Sequence, residues 1–336
     1  MNKLRVAIVG CGDIAGFMAL VARLVPQVNF VACCDVNQPR AQTFAKRHRI
    51  PQVFNDYAEL LVKASAEAVY LAVPHYLHYE MILAALAAGK AIFVEKPLTR
   101  TLAEGLKLVE ALGCRKVGVN YQYRYDRSCY ALECAIQAGE LGHVHSVRIN
   151  IPWHRTQSYF DGAPWHRTIA QAGGGTLITQ GSHFLDVALW ALGEPPVSAM
   201  GYTASPGFEV EVDTLAHGIV ETSGGTLISI TSTMAAAREQ AVTIEAYGER
   251  GTASYRNLPL PSLRFTGVRI RKVPPPELGV HALQSSLAGF AKWILEEKPY
   301  LTPAASSLSV LAAVDGIYRS ARDGQKAHVE SLTPYR

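Results

Sequence analysis

Cysteine is scarce in this chain, and long apolar runs are missing. The six cysteines, Cys11, Cys33, Cys34, Cys114, Cys129 and Cys134, all lie in the first half, and no pair has CxxC spacing. That pattern supports neither a disulfide framework nor a structural zinc site, and it suits a reducing cytoplasm. No stretch approaches the roughly 18 uninterrupted apolar residues of a membrane span. The N-terminus turns at Gly10, too soon for the apolar region of a signal peptide, so a soluble, cytoplasmic protein is expected. Charge of one sign is also nearly balanced: 32 basic against 28 acidic residues, net +4, without long runs. Nothing in that balance calls for nucleic acid or a polybasic membrane patch. Internal repeats, low-complexity tracts and a serine nucleophile elbow are absent too. What remains is a chain of 336 residues, 49% hydrophobic, enough for about two domains with a core in each.

Up to about residue 120, short apolar runs alternate with segments of helical period, the pattern of βαβ units on a parallel sheet. Leu4 to Val9, Asn29 to Cys34, Ala68 to Val73, Ala91 to Val94 and Val117 to Val119 read as strands buried on both faces. Helices are expected at Ala15 to Leu24, Pro39 to His48, Tyr57 to Lys63, Tyr76 to Ala88 and Leu102 to Leu112, the last opened by a Thr101/Glu104 capping box. Beyond about residue 124 a helix (Ser128 to Ala138) leads into longer period-two segments separated by glycine turns. A helix from Thr179 to Leu192 interrupts them, Pro274 to Pro276 reads as a loop, and two helical segments close the chain. The expected fold is a doubly wound α/β domain, residues 1–122, followed by an α+β domain, residues 123–336, with an open, mainly antiparallel sheet.

Gly10-Cys11-Gly12-Asp13-Ile14-Ala15 follows the first strand and opens the first helix, the context in which GxGxxG/A marks a dinucleotide-binding Rossmann fold. Gly10, Gly12, Asp13 and Ile14 then form a loop whose free N–H groups and helix dipole receive a pyrophosphate. Asp35 ends the second strand, where its carboxylate can accept both ribose hydroxyls; its charge opposes a 2′-phosphate and favours NAD over NADP. Arg40 leaves NADP possible, although a solvated arginine is its ordinary reading. Val94-Glu95-Lys96-Pro97 ends the fourth of these strands, and ligands of such sheets bind outside the carboxyl ends of strands, which aims Lys96 at the nicotinamide end.

Together with Ala88-Gly89-Lys90-Ala91-Ile92-Phe93-Val94-Glu95-Lys96-Pro97, the fingerprint resembles the glucose–fructose oxidoreductase/inositol dehydrogenase (Gfo/Idh/MocA) family of NAD(P)-dependent sugar and polyol dehydrogenases, over nearly the whole chain. The resemblance implies that Lys96, before a commonly cis Pro97, assists proton transfer and, with Glu95, contacts the cofactor. It implies a cofactor loop at Pro74 and His78, with His75 where the family has asparagine. It also places Gln122 and Arg124 near nicotinamide and substrate.

Gly173-Gly174-Gly175-Thr176-Leu177-Ile178-Thr179-Gln180-Gly181-Ser182-His183-Phe184-Leu185-Asp186 sets Thr179, His183 and Asp186 on one helix face. A histidine there titrates near neutrality, and taken alone it is more often a hydrogen-bonded helix residue. The segment resembles the family's GGGxLxDxGxHxxD, which implies a catalytic His183 with Thr179 where polyol dehydrogenases have aspartate. Arg155, Trp165 and Arg167 fall in the stretch that lines the family's substrate pocket. His143 and His145 alternate at a strand start, but no third metal ligand stands at a recognisable spacing, and no metal site is expected. The resulting expectation is an NAD-dependent dehydrogenase of a sugar, cyclitol or sugar derivative. Two rivals stand beside it: a sugar-nucleotide dehydrogenase or reductase, and a non-catalytic dinucleotide sensor. A homodimer or homotetramer through the C-terminal sheet is implied by the resemblance.

Overall fold

The computed structural model describes residues 3–270, 273, 277 and 279–330, so the expected loop at Pro274 to Pro276 lies outside the described residues. The chain forms two compact units, Met1–Tyr125 with Pro276–Ala304, and Asp126–Pro275 with Ala305–Arg336.

In the first unit β1 (Leu4–Val9), α1 (Asp13–Val21), β2 (Val28–Cys34), α2 (Gln38–His48), β3 (Gln52–Phe54), α3 (Tyr57–Lys63), β4 (Ala68–Leu71), α4 (His75–Ala87), β5 (Ala91–Val94), α5 (Leu102–Leu112) and β6 (Val117–Val119) alternate. The strands form one parallel sheet in the order β3-β2-β1-β4-β5-β6. Strand order reverses between β1 and β4, so the loops after these two strands diverge and leave a crevice at the carboxyl edge. Helix starts follow their local chemistry: side chains of Asn37, Asp56 and Thr101 accept from the N–H of Arg40, Glu59 and Glu104. β3 had not been expected; Gln52, Val53 and Phe54 are half-buried or exposed and form no buried apolar run of the kind that marks the other strands.

The second unit begins with α6 (Arg127–Gln137) and β7 (Val144–Pro152), followed by the short helices α7 (Gln157–Gly162) and α8 (Ile169–Ala172). A π-helical turn at Leu177–Gly181 runs into α9 (Ser182–Leu192). Strands β8 (Pro196–Ala204), β9 (Leu215–Thr222), β10 (Leu227–Thr233), β11 (Thr243–Gly248), β12 (Thr252–Arg256) and β13 (Ser262–Thr266) come next. The chain then returns to the first unit with α10 (Ala282–Glu296), and closes in the second with α11 (Leu308–Asp323) and β14 (Ala327–His328). The eight strands order as β13-β12-β11-β7-β10-β9-β8-β14, antiparallel except for the β7/β10 pair. One face is covered by helices; the other leaves Met200, Tyr202, Ile219, Leu227 and Tyr247 exposed.

The division differs from a single boundary at residue 122. Helix α10 belongs with the parallel sheet because Leu283, Leu287, Phe290 and Ala291 are buried in the first unit's core, with Phe290 stacked on Phe93 of β5 at 5.0 Å. At roughly 1.5–3 kcal/mol per large apolar side chain, that burial holds the helix there. No helix among the described residues is long and apolar enough to cross a membrane.

Candidate functional site

The two fingerprint glycines stand for different physical reasons. Gly10 has φ +86°, and a Cβ there would sit 2.2 Å from the carbonyl oxygen of Ala72, so the turn against β4 itself requires glycine. Gly12 caps α1 in extended backbone, and a Cβ there would meet nothing within 4 Å. Protein packing does not keep this position empty. The open space over a helix N-terminus without a side-chain cap is the cradle a pyrophosphate needs. Asp13 lies in the first turn and Ile14 is exposed beside it.

Asp35 is buried and fixed at both oxygens, Oδ2 accepting from Cys11 N at 2.9 Å and Oδ1 from Asn37 N at 2.8 Å. Each oxygen retains a lone pair for a ribose hydroxyl. Arg40 Nη1 lies 3.6 Å from Asp35 Oδ2, while more than half of the arginine side chain stays exposed to solvent. In the turn Gln122–Tyr125, Oε1 of Gln122 is buried with no hydrogen-bond partner, an acceptor to which the chain supplies no donor. With the Gly12 cradle and Asp35, it makes the first unit fit for a dinucleotide carrying hydroxyl and amide donors. Arg124 is buried and donates Nη1 to Leu301 O at 2.8 Å, so it carries structure within this unit.

Pro74 opens α4, and His78 departs from the expected cofactor contact. It is fully buried, its ring set between two backbone carbonyls, Nδ1 2.8 Å from Pro97 O and Nε2 3.0 Å from Val73 O. A side chain so enclosed cannot reach a ligand; it ties the loop after β4 to the loop after β5. Burial pulls its pKa below the ordinary histidine value. The Lys96–Pro97 bond is cis. Lys96 is pushed below the ordinary lysine value by burial, and the neighbouring Glu95 charge acts in the opposite direction. Burial raises Glu95, against which Tyr70 and Asn120 work by hydrogen bonding: Glu95 Oε1 accepts from Tyr70 OH at 2.6 Å and from Asn120 Nδ2 at 2.7 Å. Tyr70 and Asn120 were not singled out as site residues in the sequence.

In the second unit Thr179, His183 and Asp186 are all buried on the continuous π/α9 helix. Thr179 Oγ1 donates to Gly175 O at 2.6 Å, and Gln180 Oε1 accepts from Thr176 Oγ1 at 3.0 Å. Neither side chain stands in for a carboxylate. The glycine triplet is explained by Asp213, a residue in no recognisable pattern. Its carboxylate accepts from Gly175 N at 2.6 Å, Leu177 N at 3.0 Å and Tyr318 OH at 2.8 Å. A Cβ on Gly174 would strike Tyr318 OH, and one on Gly175 the Asp213 carbonyl. The turn that launches the His183 helix is thus packed shut around Asp213 and Tyr318.

The arginines before the triplet are less available than their sequence position implies. Arg155 lies over Trp153 and Tyr159 and pairs with Glu239 at 3.4 Å; Arg167 pairs with Asp161 at 3.5 Å. Each thus bears a carboxylate partner. Trp165 stacks on His166 with ring centroids 3.6 Å apart. His143 and His145 meet edge to face at 5.0 Å, and no group of three metal-ligating side chains is gathered among the described residues.

A parallel sheet with a switch-point glycine loop, an acid closing β2 and a lysine at the end of β5 define a nicotinamide-dinucleotide oxidoreductase. Comparison with known proteins agrees. Residues 4–124 match the model of the oxidoreductase family with an NAD-binding Rossmann fold, and residues 131–254 match the GFO/IDH/MocA C-terminal domain. An inositol 2-dehydrogenase of Rubrobacter xylanophilus is 28% identical, covering 99% of this chain and 95% of its own. The trans-1,2-dihydrobenzene-1,2-diol dehydrogenase of Bos taurus is 30% identical over 74% of this chain and 73% of its own. The crystal structure of the WlbA dehydrogenase of Bordetella pertussis, in complex with NADH and UDP-GlcNAcA, superposes with a TM-score of 0.87 at 25% identity, covering 98% of this chain and all of that one. The chain belongs to the Gfo/Idh/MocA family of NAD-binding oxidoreductases.

Proposed function

We propose that this enzyme interconverts a secondary alcohol and a ketone on a sugar, cyclitol or sugar derivative, with Lys96 and His183 as the proton-handling groups. The observation that carries the reading is the place of Lys96, in the loop directly after β5 at the same carboxyl edge of the sheet as the Gly12 cradle, where burial acts to lower its proton affinity. NAD, when bound by the Gly10–Ile14 loop, Asp35 and Gln122, supplies the acceptor for the carbinol hydrogen and its electron pair. In oxidation the neutral Nζ of Lys96 takes the hydroxyl proton as the C–O bond gains double-bond character, and His183 shares that proton. In reduction the ammonium returns it. The single test is a panel of polyols, sugars and sugar nucleotides scored by NADH appearance, with Lys96→Ala beside wild type. Turnover should fall by about 10²–10⁴ on substitution, while NADH affinity holds within about twofold. A variant that keeps its turnover removes Lys96 from this role.

A sugar-nucleotide substrate is the second reading. It is favoured by Thr179, whose hydroxyl is spent on Gly175 where polyol dehydrogenases place a carboxylate, and by the likeness to a dehydrogenase crystallised with UDP-GlcNAcA. Tight NADH binding without turnover on any panel member would instead favour a dinucleotide sensor. The exposed face of the eight-stranded sheet, with Met200, Tyr202 and Ile219 among small polar residues, is proposed to pair with a second copy in a dimer or tetramer. Sedimentation should give at least twice the chain mass, and Met200→Glu with Tyr202→Lys should shift it toward one chain. The reducing cytoplasm is the compartment proposed, in keeping with six free cysteines.

A further inference from the structure

Gln180 follows Thr179 within one turn of His183 on the continuous π/α9 helix, and it is 3% exposed. One end of its amide is held from the sheet. Thr176 Oγ1 donates to Gln180 Oε1 at 3.0 Å, and Thr176 is itself set by Ser232 of β10, whose Oγ lies 2.8 Å from Thr176 Oγ1 and donates to Thr176 O at 3.3 Å. Thr176 and Ser232 are fully buried, so water does not compete for these bonds. The relay fixes which end of the amide is which: Oε1 is occupied, and Nε2 is left as the donor end. No hydrogen bond from Nε2 is made among the described residues, and this nitrogen is not one of the atoms sealed from the surface without a partner. Its two N–H groups therefore meet accessible space beside the helix turn, where a ligand or water supplies the acceptor. Thr179 adds no carboxylate to that turn, because its hydroxyl hydrogen is spent on Gly175 O.

We propose that Gln180 determines substrate specificity by donating from Nε2 to the carboxylate of a sugar acid, free or within a sugar nucleotide. This rests on the reading of His183 as a group at the reacting hydroxyl, which brings the substrate to the same helix turn. The argument is one of polarity. An aspartate beside the histidine accepts from neutral hydroxyls and repels an acid; a pinned amide with open N–H groups does the reverse. Of the acceptors a sugar carries, a carboxylate has no hydrogen to set against the donor and makes charge-assisted bonds roughly twice as strong as neutral ones. Pinning is what gives selectivity, since a glutamine free to turn would offer either end of its amide. Ser232 and Thr176 make that choice before any ligand arrives, at no further cost in ordering on binding.

The test uses the whole protein loaded with NADH and two matched pairs of probes, D-glucuronate with D-glucose and UDP-glucuronate with UDP-glucose. Side-chain amide signals are followed by ¹⁵N NMR, and the Gln180 pair is assigned by its loss in Gln180→Glu or Gln180→Met. The acid of at least one pair should shift the Gln180 signals saturably and bind at least about tenfold more tightly than its neutral partner. Gln180→Glu keeps an acceptor for Thr176 and replaces the donor by a second acceptor, so the preference for the acid should vanish or reverse. Gln180→Met removes the donor without adding charge and should bring acid and neutral sugar within about threefold of each other. Gln180 signals that no probe moves overturn the proposal, as does equal affinity for acid and neutral sugar in the wild type. Should neither variant fold, nuclear Overhauser contacts to Thr176 assign the signals and the wild-type titration decides alone. Turnover of neutral sugars with unmoved Gln180 signals refutes this proposal and leaves the dehydrogenase reading standing; an acid bound at Gln180 without turnover of any substrate does the opposite.

Discussion

Alanine at Gly12 should separate cofactor binding from folding, and alanine at Gly10 is its control. A Cβ on Gly12 enters open space, with no atom of the chain within 4 Å, and its φ of −84° and ψ of −170° are accessible to any residue. Fold stability should therefore change by no more than about 0.5 kcal/mol, the range of substitutions that touch nothing, and Tm by less than about 2 °C. The methyl group would instead occupy the cradle. Overpacking by one methyl costs roughly 1–3 kcal/mol, and about 1.4 kcal/mol is a factor of ten, so NADH should bind about 5- to 150-fold more weakly. At Gly10 the same methyl would lie 2.2 Å from Ala72 O in backbone of φ +86°. The positive φ alone costs about 1–2 kcal/mol, and with the backbone clash a loss of about 3 kcal/mol and a Tm fall of roughly 6–12 °C are expected. Thermal unfolding and titration of NADH fluorescence measure both quantities on the same samples. Wild-type NADH affinity in Gly12→Ala would refute the cradle, and a Tm loss equal to that of Gly10→Ala would show that packing, not ligand, keeps the glycine.

On the proposed mechanism Lys96 sets the pH dependence. Alcohol oxidation needs its neutral amine, and burial lowers its proton affinity, so kcat/KM for oxidation should rise with pH along a limb lying below the ordinary lysine value of 10.5. Carbonyl reduction needs the ammonium and should fall along the same limb; a flat profile in both directions would dismiss Lys96 as the titrating group. Asp213→Asn keeps one acceptor oxygen but turns an amide N–H₂ toward one of the N–H donors of Gly175 and Leu177. A loss of about 1–3 kcal/mol should appear as a lower Tm with NADH affinity unchanged, since the dinucleotide fingerprint lies in the other unit. Unaltered stability would mean that the glycine turn is held by packing alone.

How much of this was legible in the chain depended on whether the signal was local. β1, β5, β6, α3 and α5 begin and end where the alternation and caps place them, because a buried strand or a capped helix is specified by consecutive residues. The Lys96 loop and the His183 helix were found through contiguous motifs. What stayed hidden is made of long-range pairs. Helix α10 carries an ordinary amphipathic pattern, which says that one face is buried but not against which unit, and its partner Phe93 lies nearly two hundred residues away in sequence. His78 looked like a ligand contact because it follows a proline loop; only the positions of Val73 O and Pro97 O show that its ring is enclosed. The same holds for charge: sequence places Arg155, Arg167 and Arg124 near a substrate, but not that Glu239, Asp161 and Leu301 O are their partners. Asp213 and Tyr70 belong to no motif at all, because each acts by holding another residue rather than by meeting a ligand. Sequence patterns mark groups that chemistry needs at fixed spacing, whereas the residues that hold the Glu95 carboxylate and the turn launching the His183 helix are free to come from wherever the fold brings a hydrogen-bonding partner within about 3 Å.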